Sequence, residues 1–440
     1  MWLRLLLLLL GSVAVTPVEA TPPFVGHGGP VKDLRAGEGI LVSAGFDYSL
    51  VVWDPDAGIV RRRLMGHRGP VNAVAATSDG RLLVSTGDDG HLAVWDAAEG
   101  RLLAYRRGHD AKAVAIAVSA DGHFAATAGW DGRVVVWRLP EAEPVRTLGR
   151  PPLRYTGVAF TDDGRLVAAD SAGAVTAWRL DDGRMLWRVG ETGFPATRLV
   201  RRGARLYLAG IDGTVRIRSM RDGREVARLA GERRPVTSLA VDRDGRRLAA
   251  GGARGTVQIW SVPERRVERV LEVAGGQVWA LAFASDGRRL FVGAADGAIR
   301  VFDVAEGRRL AGPGETWVTE TDRIAAATGA PALFGKCRLC HSLTPDDENK
   351  SGPTFWGLLG RRVGTLEGYP YSEALRRARV VWTEETLYEL FAIGPDRYLP
   401  GTKMPVQRIE DRRAVRELVA WLARVTERER AATRAEGRPR

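Results

Sequence analysis

A unit of about 41 residues recurs seven times in the first three hundred residues of this 440-residue chain, and no other feature limits its fold so tightly. "GHGGPV" begins at Gly26, "GHRGPV" at Gly66 and "GHDAKAV" at Gly108; looser versions begin at Gly149, Gly190, Gly231 and Ala274. Each unit follows one plan: an apolar run, a turn such as SDG or DDG, a second run, another turn, then an alternating run that ends on an aromatic. "RLLVSTGDDGHLAVWD" (81–96) and "HFAATAGWDGRVVVWR" (123–138) show it best. Period-two alternation between Gly/Asp turns predicts short antiparallel strands. A fixed period of this length predicts units that bury their apolar faces only against one another.

The unit resembles the WD repeat, and seven copies imply an all-β, seven-bladed propeller over residues 21–312. The resemblance also implies a buried hydrogen-bonded set in each well-kept unit: His27, Ser43, Asp47 and Trp53, then His67, Ser85, Asp89 and Trp95, then His109, Thr127, Asp131 and Trp137. Later units depart from it. Ala172 stands at the Asp position of unit four, Arg218 replaces the Trp of unit five behind Asp212, and unit seven ends on Phe302. The polar set is therefore expected to be missing there while the strand pattern persists. One histidine per unit at a fixed offset reads as scaffold, and His91 and His123, in turn segments, are expected to be solvated. Two segments compete to close the ring as the last blade's outer strand, "TPPFV" (21–25) and "GRRLAG" (307–312). The repeats carry no cysteine, no Gly-x-Ser-x-Gly and no phosphate loop, so they predict a binding or docking module whose loops sit on a rigid ring.

The N-terminus, "MWLRLLLLLLGSVAVTPVEA", has an arginine, an apolar run and small residues around Ala20, the pattern of a secretory signal peptide over residues 1–20. An uncleaved anchor is the rival, but Leu5–Val15 is short of the roughly 20 residues a membrane span needs. No later stretch is apolar enough to be a transmembrane helix, so the mature chain is expected to be a soluble periplasmic protein. Its net charge is +12, from 65 basic and 53 acidic residues, and only five of the basic residues are lysine. Arginine spread this evenly, on an exported chain, argues against nucleic acid as a partner.

Both cysteines of the chain lie in "LFGKCRLCHSL" (333–343), with a histidine directly after the second. A disulfide has no use for that histidine, and a zinc knuckle would need further His or Cys ligands that never follow. Cys-x-x-Cys-His is the attachment pattern of c-type haem. Beyond a linker (313–321) the alternation gives way to helical spacing, as in "ETLYELFAIG" (385–394) and "DRRAVRELVAWLARVTERER" (411–430). Residues 322–426 resemble a class I cytochrome c, an all-α domain, and a charged tail (427–440) follows.

That resemblance implies one haem c held covalently by two thioethers, at Cys337 and Cys340, with His341 as proximal iron ligand. Met404, the one methionine after the CxxCH, sits in "YLPGTKMP" (398–405), which matches the family's methionine loop and implies the second iron ligand. Pro353 corresponds to the residue whose carbonyl receives the proximal imidazole N–H. Arg361, Tyr371 and Trp382 fall where the family bonds the haem propionates. Leu390 stands where a tyrosine often approaches the methionine, a departure that affects the distal surroundings. The resemblance as a whole implies a carrier of single electrons rather than a self-contained enzyme. Its partners are expected to be redox proteins, docked through the propeller, with Lys336, Lys350, Lys403 and Arg408 as a basic rim that would steer an acidic one. The alternative is a haem-containing reductase whose propeller binds a second cofactor or substrate.

Overall fold

The computed structural model describes residues 24–190, 193, 195–231, 234–310, 320–345, 350–369, 371–402, 404 and 408–435. Residues 1–23, where the signal peptide is expected, the linker residues 311–319 and Lys403 lie outside them. Among the described residues the repeats form seven four-stranded antiparallel sheets. Strand β1 (Phe24–Val25) precedes blade 1, which is the meander β2 (Val31–Gly37), β3 (Ile40–Gly45), β4 (Ser49–Asp54) and β5 (Ile59–Met65). Five blades repeat that order. The seventh has three strands of its own, Val278–Phe283, Arg289–Ala294 and Ala298–Asp303, and takes β1 as its outer fourth. Phe24 pairs with Ile299 and Val25 with Ala298, so the N-terminal segment closes the ring; Arg309 adds a single bridge to Phe302. Closure of this kind ties the last blade to the first through the chain, since β1 leads directly into β2 of blade 1. Phe24 anchors it, buried between the Trp53 ring at 5.8 Å and the Phe291 ring at 6.3 Å.

The three well-kept units hold their polar sets in the same geometry. In blade 1 His27 Nδ1 lies 2.9 Å from Asp47 Oδ1 and Nε2 2.7 Å from the Ser43 hydroxyl, which also accepts the Trp53 indole N–H at 2.7 Å. Blades 2 and 3 repeat this through His67, Asp89, Ser85 and Trp95, and through His109, Asp131, Thr127 and Trp137. Each buried polar atom thereby finds a partner, which burial demands.

Two expectations are corrected, one in the later blades and one in blade 2. The polar set is replaced there, not lost. In blade 4 the carboxylate comes from Asp170, two residues before Ala172, and takes the Arg188 guanidinium at 2.5 Å. Asp212 pairs with Arg216 at 2.5 Å in blade 5, and Asp296 with Arg300 at 2.6 Å in blade 7. A guanidinium brings several donors in one plane and so serves a carboxylate that no imidazole approaches. His91, expected to be solvated, instead stacks on Tyr105 at 4.3 Å and its Nδ1 meets the Asp89 carbonyl at 2.7 Å. His123 is exposed.

The helical domain consists of α1 (Glu320–Ala327), α2 (Phe334–Cys337), α3 (Glu373–Arg377), α4 (Glu384–Ile393), α5 (Pro395–Tyr398) and α6 (Arg412–Ala435). Helix α6 runs through most of the charged segment, which is rich in good helix formers. Its Leu418, Trp421, Leu422 and Val425 are buried against α1, α2 and α4 in one core. Trp421 packs on Phe334 at 4.5 Å and donates its indole N–H to the Thr328 carbonyl at 3.2 Å. Thr383 caps α4 reciprocally: its hydroxyl accepts the Thr386 N–H at 3.2 Å, and its own N–H donates to the Thr386 hydroxyl at 2.8 Å. Thr383→Ala is expected to cost about 1 kcal/mol, the usual worth of such a cap. Denaturant unfolding followed by far-ultraviolet circular dichroism of the helices reads this, and an unchanged midpoint would remove the cap from the account.

Candidate functional site

Helix α2 and the turn after it set the geometry. The amides of Cys340 and His341 both return to the Cys337 carbonyl, at 3.0 and 2.9 Å. One helical turn thus brings both cysteine sulfurs and the imidazole to a single apolar cavity, and the two cysteines are not joined in a disulfide. Burial pushes the Cys337 thiol up to about 12 and raises Cys340 as well. The sulfurs are therefore neutral here, unlike the depressed thiols of redox-active pairs.

His341 is fixed on both faces. Its ring stacks on Phe355 at 4.4 Å, and a Cβ on Gly352 would meet its Cε1 at 2.5 Å, so that position has room for glycine alone. Nδ1 donates to the Pro353 carbonyl at 2.7 Å. Burial lowers the imidazole to about 4. A neutral ring with its Nδ1 proton so committed keeps the Nε2 lone pair for the cavity, the form a metal ligand requires.

Met404 lines the same cavity from the loop after α5. That loop is tied down: the Ser372 hydroxyl donates to the Gly401 carbonyl at 2.8 Å, and the Met404 amide donates to Thr402 Oγ1 at 3.1 Å. Gly401 has φ +86 and packs against Ala374, a conformation and a closeness that exclude a side chain. Helix α4 completes the wall with Leu387, Leu390 and Phe391.

The cavity gathers all eight residues singled out from the sequence: Cys337, Cys340, His341, Pro353, Arg361, Tyr371, Trp382 and Met404. Arg361 donates to the Thr354 and Trp356 carbonyls at 2.6 and 3.1 Å, while Tyr371 meets Tyr369 edge-on at 4.6 Å. The basic rim is less free than its sequence suggests: Arg408 is paired with Asp396 at 3.3 Å, and of the lysines Lys336 reaches the cavity. The sequence reading missed Tyr369, whose hydroxyl donates to the Ser351 carbonyl at 2.7 Å. It also missed Asp47, Tyr48 and Met65 of the propeller, which line the cavity too.

The donor set tests what could sit here. Among the described residues no cluster of three or more His, Cys, Asp or Glu side chains is placed to hold a metal. An imidazole and a thioether are two ligands, so an iron held between them takes its other four from outside the chain. A porphyrin supplies four nitrogens and an apolar disc that suits these walls, and the residues fit haem.

A ring of WD repeats that opens one blade onto such a cavity defines an electron-transfer protein with a built-in interaction module. The repeat model described as "WD domain, G-beta repeat" matches residues 58–96, 100–138, 223–261 and 266–303. About a hundred residues of the chain are similar to cytochrome c2 of Blastochloris viridis, 38% identical over 85% of that protein and 22% of this chain. The cytochromes c of Gibberella zeae (36% identical; 88% of that protein, 21% of this chain) and Sesamum indicum (38%; 88% and 22%) are similar as well. Through this domain the chain belongs to the cytochrome c family, and haem c is the cofactor that membership implies. No helix among the described residues is long and apolar enough to cross a membrane.

Proposed function

We propose that this protein is a periplasmic carrier of single electrons, with one haem attached through Cys337 and Cys340 and its iron held by His341 and Met404. One observation carries the reading: a neutral, oriented imidazole, a thioether and two uncharged thiols share one apolar cavity. When bound, haem supplies one-electron exchange between ferric and ferrous iron. The chain's residues do the rest. The Pro353 carbonyl holds the Nδ1 proton of His341, which orients the ring and strengthens Nε2 as a donor. The soft sulfur of Met404 favours the reduced state. Leu387, Leu390 and Phe391 keep water out. Arg361, Tyr371 and Trp382 line the cavity and would bond the haem propionates, and Arg361 has N–H groups beyond the two it gives to carbonyls. Two protein ligands leave no open position for a substrate, so exchange is outer-sphere, and the propeller selects or positions the redox partner. The leader over residues 1–20 supports export to the periplasm, where haem c is attached.

The test is the visible spectrum of protein matured with haem in a periplasm, with and without carbon monoxide. A low-spin c-type spectrum indifferent to carbon monoxide, with one haem per chain, is the expected result. Carbon monoxide binding by the parent protein, or a second chromophore, would overturn the carrier reading and turn attention to a reductase.

A further inference from the structure

Blade 1 departs from its six sisters at the positions that face the haem domain. In every other blade the residue five before the third strand's closing position (Trp53 in blade 1) is a glycine with positive φ: Gly90, Gly132, Gly173, Gly213, Gly255 and Gly297, between +72 and +82. Blade 1 has Tyr48 there, at φ +68. A side chain with a Cβ is costly in the left-handed region, and a chain that places glycine there six times has an easy alternative. Tyr48 is half-buried and lines the cavity that holds His341 and Met404.

A second departure lies one loop away. The residue after the repeat histidine is Gly28 in blade 1, Arg68 in blade 2 and Asp110 in blade 3. The backbone is the same in all three, because each of these amides donates to the repeat aspartate, at 2.9, 2.8 and 3.1 Å. Arg68 and Asp110 are exposed. A Cβ on Gly28 would overlap the Cys340 sulfur and come within 3.1 Å of the Ser351 hydroxyl. The glycine is thus required by the haem domain and not by the propeller. Met65, at the end of β5, lines the cavity beside Tyr48, as does Asp47. Asp47 is held in turn by Gly28 and by Arg63 at 3.2 Å.

We propose that blade 1 is a structural wall of the haem site: Gly28 admits the Cys340 thioether, and Tyr48 and Met65 cover the adjoining haem edge. The partner this surface fits is the chain's own cytochrome domain. The propeller then does more than dock other proteins. It removes one side of the haem from water, which disfavours the more highly charged ferric state and raises the potential. An external redox protein meets a rim built by both domains. The inference rests on the proposed haem for its redox part alone; the docking of the domains stands without it.

Two variants test it. Gly28→Arg installs the residue of blade 2, which the same backbone already accommodates, and drives the haem domain off the propeller. Tyr48→Gly installs the residue of the other six blades, relieves the backbone and uncovers the haem edge. Small-angle scattering of full-length Gly28→Arg is expected to show a larger radius of gyration than the parent, with unchanged propeller circular dichroism. In both variants the haem potential shifts negative and reduction by ascorbate accelerates several-fold, while Tyr48→Gly keeps or gains thermal stability. A merely local role for Tyr48 moves the melting temperature and leaves the potential alone. Parental scattering and potential in both variants would overturn the inference. Parent protein that matures without haem c would overturn the proposed function instead, and scattering would still decide the docking.

Discussion

Met404→Ala protein matured with haem is expected to bind carbon monoxide, and the parent is expected not to. Its reduction potential is expected to be lower by on the order of 0.1–0.2 V, a fraction of the roughly 0.8 V that axial ligation spans. The loop should survive the change, because its anchors lie elsewhere: Ser372 on the Gly401 carbonyl at 2.8 Å, and Gly401 against Ala374. The loss is then of one sulfur from a cavity still walled by Leu387, Leu390 and Phe391. Losing a soft donor removes the preference for ferrous iron, and an open position accepts an exogenous ligand. Met404→His separates the two effects, since a second imidazole closes the position yet favours ferric iron. That variant should ignore carbon monoxide and still have a lowered potential. A Met404→Ala protein with the parent's spectrum and indifference to carbon monoxide would exclude Met404 as a ligand.

Much of this architecture is legible in the sequence because repeats and short motifs carry their own geometry. The spacing of Gly26, Gly66 and Gly108 yields the blades, and the His–Ser/Thr–Asp–Trp sets follow from one template read at three offsets. Cys337, Cys340 and His341 are adjacent in sequence, so one helical turn suffices to bring them together. Much of what escaped depends on neighbours distant in the chain. Arg188, Arg216 and Arg300 sit in alternating strands, where an arginine reads as the exposed face. Asp170 reaches Arg188 only through the folded sheet, whereas Asp212 and Asp296 lie four residues before Arg216 and Arg300 and meet them across the turn into the strand. His91 reads as a turn residue until Tyr105 arrives from the outer strand of its blade.

Tyr48 is the instructive case. Its signal was in plain view, one aromatic where six sister units have glycine, but its meaning lies in a domain nearly three hundred residues away. No pattern within either domain states how the two meet. Ring closure was undecidable for a related reason: two short segments at opposite ends of the repeats had equal claim, and packing of Phe24 between Trp53 and Phe291 selects one of them.

Asp89→Ala is expected to destabilise the propeller by about 3–5 kcal/mol at pH 7, the loss found when one partner of a buried pair is removed. Asp89 Oδ2 accepts His67 Nδ1 at 2.9 Å, the Arg68 amide at 2.8 Å and the Tyr105 hydroxyl at 2.8 Å; Oδ1 accepts the His91 amide at 3.1 Å. Alanine leaves those donors inside blade 2 with nothing to receive them, whereas Glu141→Ala, on the surface, should change stability by less than about 0.5 kcal/mol. The pH dependence has a definite sign. Burial alone pushes the Asp89 carboxyl up, but His67, the Arg68 amide and Tyr105 outweigh it and hold the group well below the usual range. The contribution of a depressed carboxyl is complete above its unfolded value of about 4 and is lost as pH falls through the folded one. Parent and variant stabilities should therefore differ most at neutral pH and converge as the solution is made acid, because the parent loses what the variant never had. Blade 2 has no residue in the haem cavity, so the haem spectrum of folded Asp89→Ala protein should match the parent's. Denaturant unfolding followed from pH 7 down to about pH 2, well below the unfolded carboxyl value, measures both terms. A constant gap between the two proteins across that range would mean that Asp89 acts through shape rather than charge.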